Sequence, residues 1–342
     1  MDAMDIEPQA GKGKAAGDDK DILPWVEKYR PTTLDDVAGH EGIIATIRKF
    51  ISSNRLPHLL FYGPPGTGKT STILAVAREL YGTNYRNMVL ELNASDDRGI
   101  DVVRDQIKTF ASTRQMFMDG FKLVVLDEAD AMTNAAQNAL RRIMERYTTH
   151  TRFCILANYT HKLTPAILSR CTRFRFSPIA TEAIRGRVDH VIEAEGVRIS
   201  RPALDALLDL AKGDMRRALN VLQACHTAAP DGTEISDRDV FECVGNPDPA
   251  DIKTLLDSIM TDEWGTAVRT VSRIKQGKGL ALADILASLA EEIERIEVRP
   301  ATRIAWLDGL ADVEYRLGSG GSEVLQTSAM ISVIKSGLEL EG

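Results

Sequence analysis

The 342-residue chain has 44% hydrophobic residues, 27% charged residues and a net charge of −7. Its length exceeds what one compact core usually holds and predicts two or three domains. The net charge excludes a protein coated in positive charge, although it is compatible with a local basic stripe for nucleic acid. The chain also contains no apolar run of about eighteen residues that would span a membrane.

The N-terminal residues Met1–Lys20 are polar and rich in small side chains. They lack the apolar segment of a secretory signal, and their composition predicts a disordered tail. The four cysteines lie far apart and form no C-x-x-C pair. Their spacing predicts a reducing compartment and no zinc site.

Short apolar runs alternate with helical spacing between Leu59 and Phe176. The runs cover residues 59–62, 88–92, 122–126 and 153–157, and helical spacing covers 70–81, 100–110 and 135–147. Such runs are typical of buried parallel strands, and the β–α alternation predicts a doubly wound parallel sheet.

Beyond Pro178 the strand pattern ends and helical spacing continues to the C-terminus. Helices are predicted over residues 181–195, 201–212 and 215–227. Asn246–Pro249 is a strong breaker and a predicted domain boundary. Five further helices are predicted over residues 252–260, 264–276, 280–296, 300–317 and 323–338.

A phosphate-binding motif, G-x-x-x-x-G-K-[ST], lies directly between the first predicted strand and the first predicted helix of this alternation. In this context the glycines let backbone N–H groups cradle phosphates. Lys69 brings a positive charge to the β- and γ-phosphates of ATP, and Thr70 supplies a hydroxyl for Mg²⁺. The predicted nucleotide-binding residues of the motif are Gly63, Pro64, Pro65, Gly66, Thr67, Gly68, Lys69 and Thr70.

The segment Val124–Asp130 is an apolar strand that ends in acids. Asp127, at the tip of the strand, is predicted to bind Mg²⁺ partly through water, and Glu128 to polarise the attacking water. Together with Lys69, these acids predict that the chain hydrolyses ATP as well as binding it.

Five further segments match one known family. They are Pro24–Pro31 (P-W-V-E-K-Y-R-P), Asn93–Gly99 (N-A-S-D-D-R-G), Leu156–Asn158 (L-A-N), Ser169–Cys171 (S-R-C) and Gly213–Asn220 (G-D-M-R-R-A-L-N). In this combination the chain resembles the small subunits of replication factor C, a clamp loader of the AAA+ ATPase family. The resemblance implies an α/β P-loop AAA+ domain over residues 21–179, a helical lid domain over 180–245 and an all-α collar domain for oligomerisation over 246–342.

The resemblance also implies roles for the matching residues. Asn158 would help to position the hydrolytic water, and Arg216 would reach this chain's own γ-phosphate from the lid. Arg170 would act in trans, as an arginine finger in a neighbouring subunit's site. Val26 and Arg30 match the segment that packs along the adenine and ribose of ATP.

The same resemblance implies surfaces for DNA and for the clamp. Arg98, Arg104 and Lys108, on or just before one predicted helix, would follow the DNA backbone. The predicted clamp-contact residues are Gln115, Met116 and Phe117.

Several of these residues have plainer interpretations. Tyr29 also matches the segment that packs along the adenine and ribose, but core packing is an equally good account of it. Arg170 would otherwise be a surface arginine paired with an acid. The basic helix face would otherwise be a solvated surface, and Met116 and Phe117 would otherwise be buried.

As a whole, the resemblance implies an ATP-hydrolysing subunit of a nuclear hetero-pentameric clamp loader. With ATP and Mg²⁺, the loader would open a sliding clamp and load it onto primer–template DNA during replication and repair. Two alternatives stay open. One is a small subunit shared with another AAA+ loader, for checkpoint or cohesion, and the other is a branch-migration-type AAA+ motor. The subunits with which the chain assembles discriminate among these three functions.

Overall fold

The computed structural model describes residues 23–95, 100–113, 120–230 and 232–340, with the backbone alone for 100–104. The tail Met1–Lys20, Arg98 and the three predicted clamp-contact residues therefore lie outside the described residues. The described chain divides into two compact units. The first holds the residues up to Val197 together with Leu208–Gln223, and the second holds Arg198–Leu207 and the residues from Ala224 onward.

The first unit begins as an alternation of helices and strands. In chain order its elements are α1 (Trp25–Lys28), α2 (Glu41–Ser52), β1 (Leu59–Tyr62), α3 (Lys69–Tyr81), α4 (Tyr85–Met88), β2 (Val89–Asn93), α5 (Ile100–Ser112), β3 (Lys122–Asp127), α6 (Asn134–Tyr147), β4 (Thr151–Ala157), α7 (Pro165–Leu168), β5 (Thr172–Arg175) and α8 (Thr181–Glu195).

The five strands form one parallel sheet in the order β2-β3-β4-β1-β5. Four of them are the predicted strands, and the predicted doubly wound parallel sheet is confirmed. The fifth, β5, was not predicted. It lies at the edge of the sheet and carries Arg173 and Arg175, so it lacks the apolar run that marks a strand buried on both faces.

Two apolar layers cover the two faces of this sheet. Alternate residues of a strand point to opposite faces, so Phe61 belongs to one layer and Leu60 to the other. The first layer is completed by Ile47 of α2 and Ile73 of α3, both fully buried, and the second by residues of α5, α6 and α7, among them Ile107. Both faces are therefore covered by helices, which explains the continuous apolar runs in the sequence.

The sheet topology positions the functional loops. β1 lies between β4 and β5, and all strands run parallel, so the segments after β1, β3 and β4 leave the sheet at the same edge. In open α/β sheets, ligands bind at this carboxyl edge. The phosphate motif, Asp127 and Asn158 all lie at the end of a strand there.

Three helices follow α8: α9 (Arg201–Ala211), α10 (Met215–Ala228) and α11 (Asp237–Val244). The first two agree with the prediction, whereas α11 was not predicted. A local signal for α11 exists in the sequence, because Ser236 and Asp239 form a capping box at its start.

The C-terminal part of the second unit is a bundle of five helices, as the spacing predicted. They are α12 (Pro249–Thr261), α13 (Trp264–Lys278), α14 (Leu282–Arg295), α15 (Pro300–Gly318) and α16 (Glu323–Leu338). Trp306 is fully buried in the bundle core, and its indole N–H donates to the carbonyl oxygen of Ile334 at 2.8 Å. Ile304, in contrast, is 67% exposed.

The predicted domain limits at residues 179 and 245 stay a prediction. In the part of the chain that the structure describes, no helix combines the length and apolar character needed to cross a membrane.

Candidate active site

The phosphate motif forms a tight loop between β1 and α3. Gly63 and Gly66 have φ angles of 144° and 67°, which side chains rarely adopt. A Cβ at Gly63 would also collide with the carbonyl of Phe176, and a Cβ at Gly66 with the carboxylate of Asp214. Both positions therefore require glycine, for conformation and for space.

Lys69 is buried at the start of α3, with 8% of its surface exposed. Its ammonium donates to the carbonyl oxygens of Gly63 (2.7 Å) and Pro64 (2.8 Å) and to Oδ1 of Asn158 (2.9 Å). Burial lowers its pKa, which the carboxylates of Asp127 and Asp130 partly counteract. A buried cation held by neutral oxygens is well suited to receive the charged oxygens of a phosphate.

Thr70 and Asp127 meet across the site. The Thr70 hydroxyl donates to Oδ2 of Asp127 at 2.9 Å, while Oδ1 of Asp127 accepts from the backbone N–H of Glu128 at 2.8 Å. A hydroxyl in contact with a carboxylate is a set of hard oxygen donors that fits Mg²⁺. The two residues therefore fit the predicted metal site.

Glu128 follows Asp127 in a left-handed backbone conformation, with φ at 53°. This uncommon conformation is concentrated at functional sites and turns the residue away from the direction of the strand. Both acids line the same pocket as the phosphate motif. The arrangement leaves Asp127 beside Thr70 and gives Glu128 a separate position on the pocket wall.

Another part of the pocket wall comes from the N-terminal segment. Val26, Tyr29, Arg30 and Pro31 line it. Arg30 pairs with Glu27 at 2.7 Å. Both predicted adenine-side residues, Val26 and Arg30, thus lie in one pocket with the phosphate motif, and so does Tyr29.

Arg216 lines this pocket from the first turn of α10. The start of α10 is fixed on the phosphate loop, because the N–H of Met215 donates to the carbonyl of Gly66 at 3.2 Å. The Asp214 carboxylate accepts the N–H of Arg217 at 3.0 Å and so caps the helix. The positive charge of Arg216 also acts on Lys69 and lowers its pKa further. Arg216 therefore lies on the phosphate side of the pocket.

Arg170 does not line this pocket. Its guanidinium forms an ion pair with Glu145 of α6 and donates to the carbonyl of Ala166 at 2.6 Å. About a third of its side chain is exposed. The structure thus shows an arginine paired with an acid on its own chain, and a role for Arg170 in another subunit stays a prediction.

Of the predicted DNA-binding residues, only Lys108 has a described side chain. It is exposed on α5 and lines a surface cleft with Arg142 and Arg146 of α6. Arg104 lies on the same helix, where the backbone alone is described. The two α6 arginines were missed, although their i,i+4 spacing places them on one helix face.

Comparison with known proteins identifies the family. The family model "ATPase family associated with various cellular activities (AAA)" matches residues 59–179, and the model "Replication factor C C-terminal domain" matches residues 247–333. Replication factor C subunit 3 of Blastobotrys adeninivorans is 67% identical over 319 residues, which cover 93% of this chain and 94% of the relative. The chain belongs to the replication factor C subunit family. It resembles the fungal subunit 3 type.

Other replication factor C subunits agree with this assignment. Subunit 3 of Saccharomyces cerevisiae is 59% identical over 325 residues, covering 94% of this chain and 96% of the relative. Subunit 5 of Homo sapiens is 52% identical over 314 residues, covering 92% of each. The chain is therefore an AAA ATPase subunit of the replication factor C clamp loader, and its association with other subunits of that loader follows from the family.

Among solved structures, the RuvB Holliday junction branch migration motor of Thermotoga maritima has a similar fold. Its TM-score is 0.53 at 15% identity, and the match covers 80% of this chain and 93% of that one. At this identity the likeness concerns the fold alone. The family assignment thus favours the clamp loader over the branch-migration motor.

Proposed function

We propose that this subunit binds and hydrolyses ATP with Mg²⁺ in the pocket described above, within a hetero-pentameric clamp loader of the nucleus. The loader opens a sliding clamp and places it on primer–template DNA during replication and repair. The observation that carries the proposal is the single pocket that contains Lys69, Thr70, Asp127, Glu128 and Asn158. An inactive scaffold would not need this full set of charged and polar groups in one place.

Each side chain of the pocket has a distinct task in this proposal. Lys69 and the backbone N–H groups of the phosphate loop hold the phosphates, and Arg216 contacts the γ-phosphate. Thr70 and Asp127 hold Mg²⁺, which neutralises charge on the phosphates when bound. Glu128 accepts the proton of the attacking water.

Asn158 has two contacts in the proposed site. Its Oδ1 accepts from Lys69 at 2.9 Å, so the amide is oriented by the same ammonium that holds the phosphates. In that orientation the other end of the amide is directed away from Lys69 and positions the attacking water. Asn158 therefore connects the phosphate-binding and the water-activating sides of the site.

Arg170 completes the site of the adjacent subunit. It lies outside its own pocket, and its guanidinium uses two of its three nitrogens in the contacts with Ala166 and Glu145. Since a guanidinium carries five N–H donors, donors remain for a phosphate oxygen of a neighbour. Arginine fingers of this kind raise hydrolysis by about 10³- to 10⁵-fold in related enzymes.

DNA follows the basic face formed by Arg98, Arg104 and Lys108, to which we add Arg142 and Arg146. The placement of Lys108, Arg142 and Arg146 along one cleft supports a track for a phosphate backbone. Gln115, Met116 and Phe117 are proposed to contact the clamp.

Reconstitution with the co-purifying subunits tests the proposal. The complex is expected to hydrolyse ATP and to load a labelled clamp onto primed DNA, while the isolated chain hydrolyses ATP slowly because no neighbour supplies an arginine. Arg170→Ala should leave ATP affinity of the isolated chain unchanged and lower hydrolysis by the complex. The large subunit that co-purifies decides between the replicative loader and a checkpoint or cohesion loader.

Two results would contradict the proposal. One is full ATPase activity of a demonstrably monomeric preparation, because no neighbouring arginine is then needed. The other is ATP hydrolysis by the reconstituted complex without any transfer of the clamp to DNA.

A further inference from the structure

One part of the nucleotide pocket wall is made by a short segment with little stability of its own. α1 has only four residues, and the chain that follows it, Tyr29–Pro31, has no regular structure. A helix of one turn is not stable by itself in water. Something outside the segment must therefore hold Val26 and Tyr29 against the pocket.

Glu195, the last residue of α8, is a polar anchor of this segment. Its Oε1 accepts from the Tyr29 hydroxyl at 2.5 Å and pairs with the Lys28 ammonium at 2.8 Å. The Lys28 and Glu195 side chains are 22% and 18% exposed, so solvent competes only weakly for this contact. Charge-assisted hydrogen bonds in such partly buried places are about twice as strong as neutral ones.

Two further contacts tie the same segment to α8 and α10. The N–H of Trp25 donates to Oε1 of Gln223 at 3.0 Å, and Arg187 lies 3.5 Å from the carbonyl of Tyr29. Arg187 itself lines the pocket. The helices that carry Glu195 and Gln223 therefore hold the wall directly.

We infer that Glu195 is a positioning residue for the adenine end of the nucleotide, acting through Tyr29 and Lys28. The inference rests on the proposed placement of ATP, with phosphates at Lys69 and adenine beside Val26 and Tyr29. Glu195 does not line the pocket, so it affects the nucleotide only through the wall. Its loss weakens binding of the adenosine part, which ATP and ADP share, and spares the chemistry at Glu128.

Nucleotide affinity of the full-length chain tests this inference. Glu195→Ala is expected to raise the Kd for ATP and for ADP by the same factor, about ten- to a hundredfold, the order given by removing one charge-assisted hydrogen bond. Tyr29→Phe keeps the ring that lines the pocket and removes the hydroxyl, so it should raise both Kd values in the same way. Titration calorimetry with each nucleotide measures the effect.

Three comparisons separate positioning from a general loss of structure. The double variant Glu195→Ala/Tyr29→Phe should bind no more weakly than Glu195→Ala alone, because the two residues act through one contact. Glu195→Gln, which keeps an oxygen for the tyrosine hydroxyl, should bind with an affinity between wild type and Glu195→Ala. Glu193→Ala, at another position of the same helix outside the pocket, should change neither Kd.

The reconstituted complex provides a second readout. With Glu195→Ala, the KM for ATP should rise while kcat at saturating ATP stays at the wild-type value. An unchanged Kd in Glu195→Ala, or a weakening confined to ATP and absent for ADP, would overturn the inference. A wild-type chain that binds neither nucleotide would instead contradict the proposed function itself.

Discussion

At the scale of single residues, the site depends on charged groups, one of them buried, that have partners on the same chain. The Lys69 ammonium has three oxygen acceptors within 2.9 Å, and Asp127 is engaged by Thr70 and by a backbone N–H. Such satisfied groups cost little to bury and are pre-oriented for a ligand. Glu128, the residue after Asp127, has a left-handed backbone and lines the same pocket, which permits a separate role.

The roles assigned to Lys69 and Glu128 predict different defects when each residue is replaced. Lys69→Ala should weaken ATP binding strongly, because it removes the charge at the phosphates. Glu128→Gln should retain ATP binding and lower hydrolysis at least about a hundredfold, as expected for loss of a general base. Retention of radiolabelled ATP on the complex separates the two variants, because Lys69→Ala should retain little ATP whereas Glu128→Gln should retain it unhydrolysed. An equal loss of binding in the two variants would contradict the role given to Glu128.

His58 gives a second residue-scale prediction, for stability against pH. Burial, followed by the positive charge of Arg152, lowers the pKa of His58 to about 4, and its Nδ1 accepts the N–H of Phe153 at 3.2 Å. In the unfolded chain its pKa is about 6.5. Below pH 6.5 the unfolded chain therefore binds a proton that the folded chain does not, so stability is full above that pH and decreases toward pH 4.

The decrease in the free energy of unfolding that His58 causes is at most about 1.4 kcal/mol per pH unit, and partial solvent screening makes it smaller. His58→Asn keeps an acceptor for Phe153 and removes the titration. Urea denaturation at pH 7.5 and at pH 5.0 should show that the free energy of unfolding decreases more for the wild type than for His58→Asn. Identical losses in the two proteins would exclude His58 as a source of acid sensitivity.

At the scale of elements, α5 and α6 place cations from two helices along one cleft. Lys108 contributes from α5, and Arg142 and Arg146 contribute from α6. A phosphate backbone needs such a row of charges, with no sequence readout.

This row predicts how DNA binding depends on salt. Lys108→Ala and Arg142→Ala should each weaken binding of primed DNA by the complex to a similar extent for different sequences. Each should also lower the salt slope by about one unit for every phosphate that the variant no longer neutralises. Lys49→Ala, an exposed cation on α2, is the matched control. An unchanged salt slope in the Lys108→Ala/Arg142→Ala double variant would show that the cleft is a solvated basic surface that does not bind DNA.

At the scale of the whole molecule, the helical bundle of the second unit exposes large apolar side chains. Tyr315 and Val324 are each 76% exposed and Leu325 is 68% exposed, at the end of α15 and the start of α16. Only the short segment Ser319–Ser322 separates these two helices in the chain. Apolar groups clustered on a surface mark sites of protein association.

We expect this surface to contact another loader subunit. Tyr315→Ser/Val324→Ser should leave the melting temperature of the isolated chain within about 2 °C, because the residues are exposed, and should lower the yield of assembled complex severalfold. Glu314→Ser is the control, since Glu314 is exposed on the same helix. Co-purification of tagged chain measures assembly. Normal yield of the double variant would place the subunit contacts elsewhere.

The sequence alone determined the parts of this protein that depend on local chemistry. The phosphate loop needs glycines at Gly63 and Gly66 and a lysine at the start of the helix, so its function could be read from a short motif. The central strands β1, β3 and β4 are buried on both faces and appeared as apolar runs, and the edge strand β2 also carries enough apolar residues to be predicted. The edge strand β5 and the helix α11 were missed, because the first carries exposed arginines and the second is short.

The tertiary structure decided which distant residues meet. Asn158 and Arg216 follow Lys69 by many residues, and only the strand order and the start of α10 bring them to one pocket. The ion pair of Arg170 with Glu145, the cleft shared by Lys108 and Arg142, and the contact of Tyr29 with Glu195 likewise join separate elements. Motifs record local backbone and chemical requirements, whereas contacts between elements depend on how the whole chain packs, which no short segment encodes.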